Sequence, residues 1–86
     1  MHIFFHRVYL KRFHRLSPFI KRLTERTIQI FKENPFDPRL HNHVLHGSMN
    51  GRRAISVTHE VRIIFEEKDS HTIILFLDIG RHDQVY

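Results

Sequence analysis

Cysteine is absent from the 86 residues. That excludes disulfides and thiolate metal ligands, and it leaves no argument for secretion. Long apolar runs are absent as well. The opening Met1-His2-Ile3-Phe4-Phe5-His6 is too short, and too soon followed by charge, for a signal peptide or a membrane span. The expected compartment is the cytoplasm, with no membrane partner. No internal repeat or low-complexity stretch occurs, and the three prolines stand only at 18, 35 and 38. A chain of this length forms one domain, 1–86, burying roughly 60–65% of its unfolded surface. Nine histidines invite a zinc reading, but there is no HExxH pattern, and His41, His43 and His46 fall in a loop-to-strand segment. Neither a metal nor a cofactor is expected.

Basic charge is what the sequence has in quantity. Ten arginines and four lysines give a net charge of +5, spread unevenly. Residues 1–53 hold eleven Lys/Arg against three Asp/Glu, whereas 54–86 hold three against six. A basic front half fits a polyanion, because arginine and lysine displace phosphate counterions. The same surface could instead dock an acidic protein segment. Arg12, Arg15 and Arg22 on the helices and the pair Arg52-Arg53 are the candidate phosphate contacts.

Periodicity outlines the elements. His2 to His6 reads as a short aromatic strand. Tyr9, Phe13 and Leu16 then share one helical face, and Ser17-Pro18 ends that helix and caps the next. Ile20, Leu23, Thr27, Ile30 and Phe31 stripe the second helix, which stops before Asn34-Pro35. After a turn-rich connector come Asn50-Gly51, a hairpin signal, and strands over Arg53 to Thr58, Val61 to Glu66 and His71 to Asp78. Glu67 to Ser70 reads as a turn, and Gly80 as a strand breaker followed by a polar tail. The expected class is α+β: strand, helical hairpin, then an antiparallel meander with helices on one face.

Cleaving RNA through its own 2′-hydroxyl requires a base at that hydroxyl, cations for the phosphate and an acid for the leaving oxygen. Suitable groups occur at His43, Glu60-Val61-Arg62, Arg81-His82 and Tyr86. Histidine suits the acid, since its ordinary pKa near ~6.5 leaves both protonation states accessible. The Tyr86 ring suits stacking on a base. Bland readings stand beside these. His43 could merely hydrogen-bond its loop, Glu60 could be a turn carboxylate or a partner for Arg62, and Arg81 could be an ordinary surface cation.

In order and spacing, Asn34-Pro35-Phe36-Asp37-Pro38-Arg39-Leu40, His43-Val44-Leu45-His46-Gly47, Ser56-Val57-Thr58 with Val61-Arg62-Ile63-Ile64-Phe65, and Asp78 to Tyr86 closely resemble bacterial toxins of the RelE/ParE superfamily. The RelE/StbE and YafQ-like branch is the most similar. The resemblance implies an mRNA endonuclease that cuts within the ribosomal A site, is held inactive by a cognate antitoxin, and forms with it a hetero-oligomer that binds its own operator DNA. By position, His43 matches the histidine of H-x-L-x-G, Arg62 the arginine of R-I-I-F, His82 the histidine of G-x-H, and Tyr86 the closing aromatic. Glu60 stands where relatives usually carry aspartate. Ser56 and Asp78 replace a histidine and an arginine common in YafQ-like relatives, and His59-Glu60 replaces a commoner Gly-Asp turn. The roles implied are His82 as general acid, His43 or Glu60 as base, Arg62 and Arg81 as phosphate ligands and Tyr86 as stacking platform. A gyrase inhibitor of the ParE type, or an inactive antitoxin-binding member, is the alternative.

Overall fold

A computed structural model describes residues 1–70 and 72–86. The elements in order are β1 (His2–Phe5), α1 (Arg7–His14), α2 (Pro18–Glu33), β2 (His43–Val44), β3 (Arg53–Ser56), β4 (Val61–Lys68), β5 (Ile73–Arg81) and α3 (His82–Val85). One sheet has the strand order β1-β5-β4-β3-β2. The meander β2–β5 is antiparallel, and β1 joins β5 in parallel, so the sheet is mixed. The α+β expectation holds, with α1 and α2 supplying apolar side chains to one sheet face.

Local chemistry sets the helix bounds. The Ser17 hydroxyl accepts the Ile20 amide at 3.2 Å with Pro18 opening α2. That satisfies an otherwise orphaned N–H. The N-cap of α1 is less obvious: the His6 imidazole Nδ1 accepts the Val8 amide at 3.0 Å. Thr24 and Thr27, although buried, donate to the carbonyls of Ile20 and Leu23 at 2.8 Å. Phe31 then inserts edge-on between Phe65 and Phe76, ring centroids 5.1 and 5.8 Å away.

β4 is buried on both faces, hence its apolar run. Ile63 and Phe65 pack with Tyr9 and Phe31, whereas Ile64 packs with Leu45, Ala54 and Val85 on the other side. Ile64 pairs with Asp78 but Phe65 pairs with Phe76, so Leu77 is an extra residue in β5. This bulge puts Phe76 and Ile79, three residues apart, in one cluster on the helix side.

Several boundaries differ from the sequence reading. β4 continues to Lys68, so only Asp69 and Ser70 of the expected turn leave the strand, both at positive φ. The residue expected to open the last strand, His71, lies outside the described residues. β5 does not stop at Asp78 but runs to Arg81, with Gly80 buried and paired to Arg62. A glycine inside a ladder marks a close approach as readily as an end. The tail is a short helix, because Val85 finds an apolar seat. Asn50-Gly51 forms a turn closed by the Arg52 amide on the Met49 carbonyl, with Gly51 at φ +89. Asn50 at φ −56, ψ 136 makes it type II rather than the primed hairpin turn that Asn-Gly favours.

Candidate functional site

The sheet face turned away from α1 and α2 gathers His43, Arg62, His82 and Tyr86. Directly opposed residues of a ladder share a face. His43 opposes Ala54, which opposes Ile64; in the next row Ser56 opposes Arg62, which opposes Gly80. α3 folds back over these rows and is anchored by Val85 against Leu45, Ala54 and Ile64. That anchorage delivers Tyr86 to His43.

Tyr86 Oη lies 3.4 Å from His43 Nε2, while His43 Nδ1 lies 2.8 Å from the His41 carbonyl. A carbonyl only accepts, so Nδ1 carries a proton, and in the neutral ring the Nε2 lone pair faces the tyrosine. Burial pushes the Tyr86 phenol above its ordinary pKa, and the nearby Arg62 guanidinium pulls the other way. The hydroxyl therefore remains a donor at neutral pH. His82 stands against the other part of the same residue, its ring edge-on to the tyrosine ring with centroids 4.1 Å apart. Its backbone amide donates to the Glu60 carbonyl at 2.8 Å, tying α3 to the β3–β4 loop. Two imidazoles thus flank one tyrosine.

Arg62 is half-buried and donates through Nη1 to the Thr58 carbonyl at 2.7 Å. Thr58 in turn braces the loop, its hydroxyl accepting the Glu60 and Val61 amides. Beside Arg62 opens a cleft of about 550 Å³ lined by His41, His43, Ser56, Thr58 and His59 among others. Sequence reading assigned roles in RNA cleavage to His43 and Arg62 but none to His41, Thr58 or His59. The available signal was weak: Thr58 is a hydroxyl residue two before Glu60 at a strand start, a turn-bracing pattern.

The remaining predicted residues are placed elsewhere. Glu60 turns its carboxylate to Arg81 at 3.5 Å, and both side chains are more than half exposed. Such a pair contributes little. Arg12, Arg15 and Arg81 line a separate depression of about 410 Å³, with Arg12 also 3.4 Å from Asp78. Arg22 is exposed on α2. Arg52 pairs with Glu66 at 3.4 Å. Arg53 is held by Glu67 at 3.3 Å, by Asn42 at 2.8 Å and over the Phe36 ring at 5.5 Å. Among the described residues no three His, Asp or Glu side chains are grouped to hold a metal ion. Nor is any helix among them long and apolar enough to cross a membrane.

The mixed five-stranded sheet, the α1–α2 layer and the returning α3 are the fold of the RelE/ParE toxins. Among solved structures, the chain is similar to the YoeB/ParE toxin from Agrobacterium tumefaciens, at TM-score 0.79 and 18% identity over 95% of this chain and 99% of that one. It is similar to YafQ from E. coli strain BL21(DE3), at TM-score 0.77 and 17% identity over 98% and 96%. It is also similar to the toxin–antitoxin complex RelBE2 from Mycobacterium tuberculosis, at TM-score 0.74 and 18% identity over 94% and 96%. No protein-family model and no curated protein matches the chain.

Proposed function

We propose that this chain is the toxin of a toxin–antitoxin pair, a ribosome-dependent endonuclease that cleaves mRNA in the A site. One observation carries the reading: Tyr86 joins His43 at its hydroxyl and His82 at its ring, with the Arg62 guanidinium beside the phenol. Proton acceptor, proton donor, cation and aromatic surface are the set that 2′-hydroxyl attack on the adjacent phosphorus requires. In this scheme His43 Nε2 takes the 2′-hydroxyl proton as the 2′-oxygen bonds to phosphorus. His82 protonates the departing 5′-oxygen, leaving a 2′,3′-cyclic phosphate. Arg62 neutralises the charge gathering on the phosphate. The Tyr86 ring, 42% exposed, offers a surface for a base.

His43 is preferred to Glu60 as the base. Its Nδ1–H is fixed by the His41 carbonyl, so Nε2 is the accepting atom, whereas the Glu60 carboxylate is exposed and engaged by Arg81. The antitoxin partner is inferred from the fold and from the Mycobacterium tuberculosis relative, solved as a toxin–antitoxin complex. Adding purified chain to a translating extract tests the function. Amino-acid incorporation should fall as mRNA fragments accumulate. Normal incorporation together with loss of gyrase supercoiling would instead establish the ParE-type inhibitor.

A further inference from the structure

Gly80 sits inside β5 at a position where a side chain would be conformationally easy, yet a β-carbon there would be crowded by two side chains. Its φ lies outside the left-handed region, so no turn demands glycine there. A β-carbon at this position would meet Gln84 Oε1 at 3.1 Å and Val85 Cγ1 at 3.2 Å. Both belong to α3, which lies on the same face as Gly80 and its ladder partner Arg62. Gln84 Oε1 also accepts the Arg81 amide at 3.1 Å, closing the turn from β5 into α3. Val85 is the anchor of that turn in the Leu45, Ala54 and Ile64 cluster. Between the Arg62 row and the helix, the missing side chain is therefore the spacer.

We infer that Gly80 is a positioning residue: its lack of a side chain sets the depth at which α3 seats, and hence brings Tyr86 onto His43 and Arg62. The size of residue 80 then tunes cleavage without contact with RNA. This rests on the endonuclease reading for its effect on rate, but not for its effect on geometry. The β-carbon of Gly80→Ala requires the Gln84 and Val85 side chains of α3 to yield a few tenths of an ångström, and the branched side chain of Gly80→Val requires more, which the seated Val85 passes to the helix. A misplacement approaching 1 Å costs on the order of 10²-fold in rate.

Two-dimensional NMR and a cleavage assay on Gly80→Ala and Gly80→Val, each as the full chain, test this together. Two proton–proton contacts are followed: Tyr86 ring to His43 ring, and Tyr86 ring to His82 ring. The second lies within α3 and its flanking residue, so it survives if the helix moves as a unit. The expected result is a graded one. The Tyr86–His43 contact weakens in Gly80→Ala and disappears in Gly80→Val, the Tyr86–His82 contact persists in both, and cleavage falls by about 10²-fold in Gly80→Val. An unchanged Tyr86–His43 contact in Gly80→Val overturns the inference whatever the rate does. Loss of that contact with full cleavage also overturns it as a statement about catalysis. If the parent chain cleaves nothing, the endonuclease reading fails, and the NMR contacts alone still decide whether Gly80 seats α3.

Discussion

His82 and Tyr9 show how differently two polar rings can be held in a small domain. His82 is exposed, and among the described residues its ring packs edge-on against the Tyr86 ring alone. His82→Ala should therefore change stability by no more than about 0.5 kcal/mol, as thermal melting would show. Cleavage should fall by roughly 10²–10⁴, the contribution of one placed acid. Tyr9 is the reverse case. It is 2% exposed, and its hydroxyl has no hydrogen-bond partner among the described residues. Leaving such a group unsatisfied costs about 1–3 kcal/mol, so Tyr9→Phe should stabilise the fold by about 1 kcal/mol in urea unfolding. A loss of stability there would mean that the hydroxyl has a partner. The role proposed for His82 was legible beforehand, but that of Tyr9 was not: helical spacing put Tyr9 on the apolar face, and pattern alone says nothing about the fate of its hydroxyl.

Among the elements, α2 follows most directly from its residues. Ser17-Pro18 opens it, Asn34-Pro35 closes it, and the apolar stripe faces the sheet. Ser17→Ala should cost about 1 kcal/mol, measured by chemical denaturation, because the Ile20 amide loses its acceptor. β5 and α3 were legible only in part. Asp78, Gly80 and the polar residues after them have the composition of a strand end and tail. Only the ladder to β4 shows Gly80 to be interior, and only the cluster under Val85 shows a helix rather than a tail. The candidate site divides along the same line. His43, Arg62, His82 and Tyr86 could be named from residue type and order. Their convergence depends on β2–β3–β4 register and on the seating of α3, neither of which a local pattern encodes.

Over the whole molecule two titrations and one charge field should be measurable. Burial raises the phenol pKa of both tyrosines, with the larger shift at Tyr9. A raised folded-state value means that the native state holds protons that the unfolded chain releases first. Stability is then unaffected below the ordinary tyrosine value of 10.0 and falls as pH rises above it. Tyr9→Phe should remove most of that alkaline loss, readable as melting temperature against pH. The cationic surface is the other global property. Arg12 and Arg15 line the depression beside Gly80 and Gln84, and Arg22 is exposed on α2. Charge reversal at these three should weaken ribosome binding and flatten its salt dependence, by about 0.7 in log–log slope for each lost phosphate contact on single-stranded RNA. An unchanged slope would leave them as solvated surface charge.

The most direct test of the site is primer extension on ribosomes carrying a defined mRNA, incubated with the parent chain, His82→Ala or His43→Ala. An acid–base pair straddling Tyr86 requires A-site cleavage by the parent chain and a loss of roughly 10²–10⁴ in each variant, with melting temperatures nearly unchanged. Full cleavage by a folded His82→Ala protein would contradict the assignment of the acid. Full cleavage by both variants would remove the Tyr86 cluster from the reaction altogether.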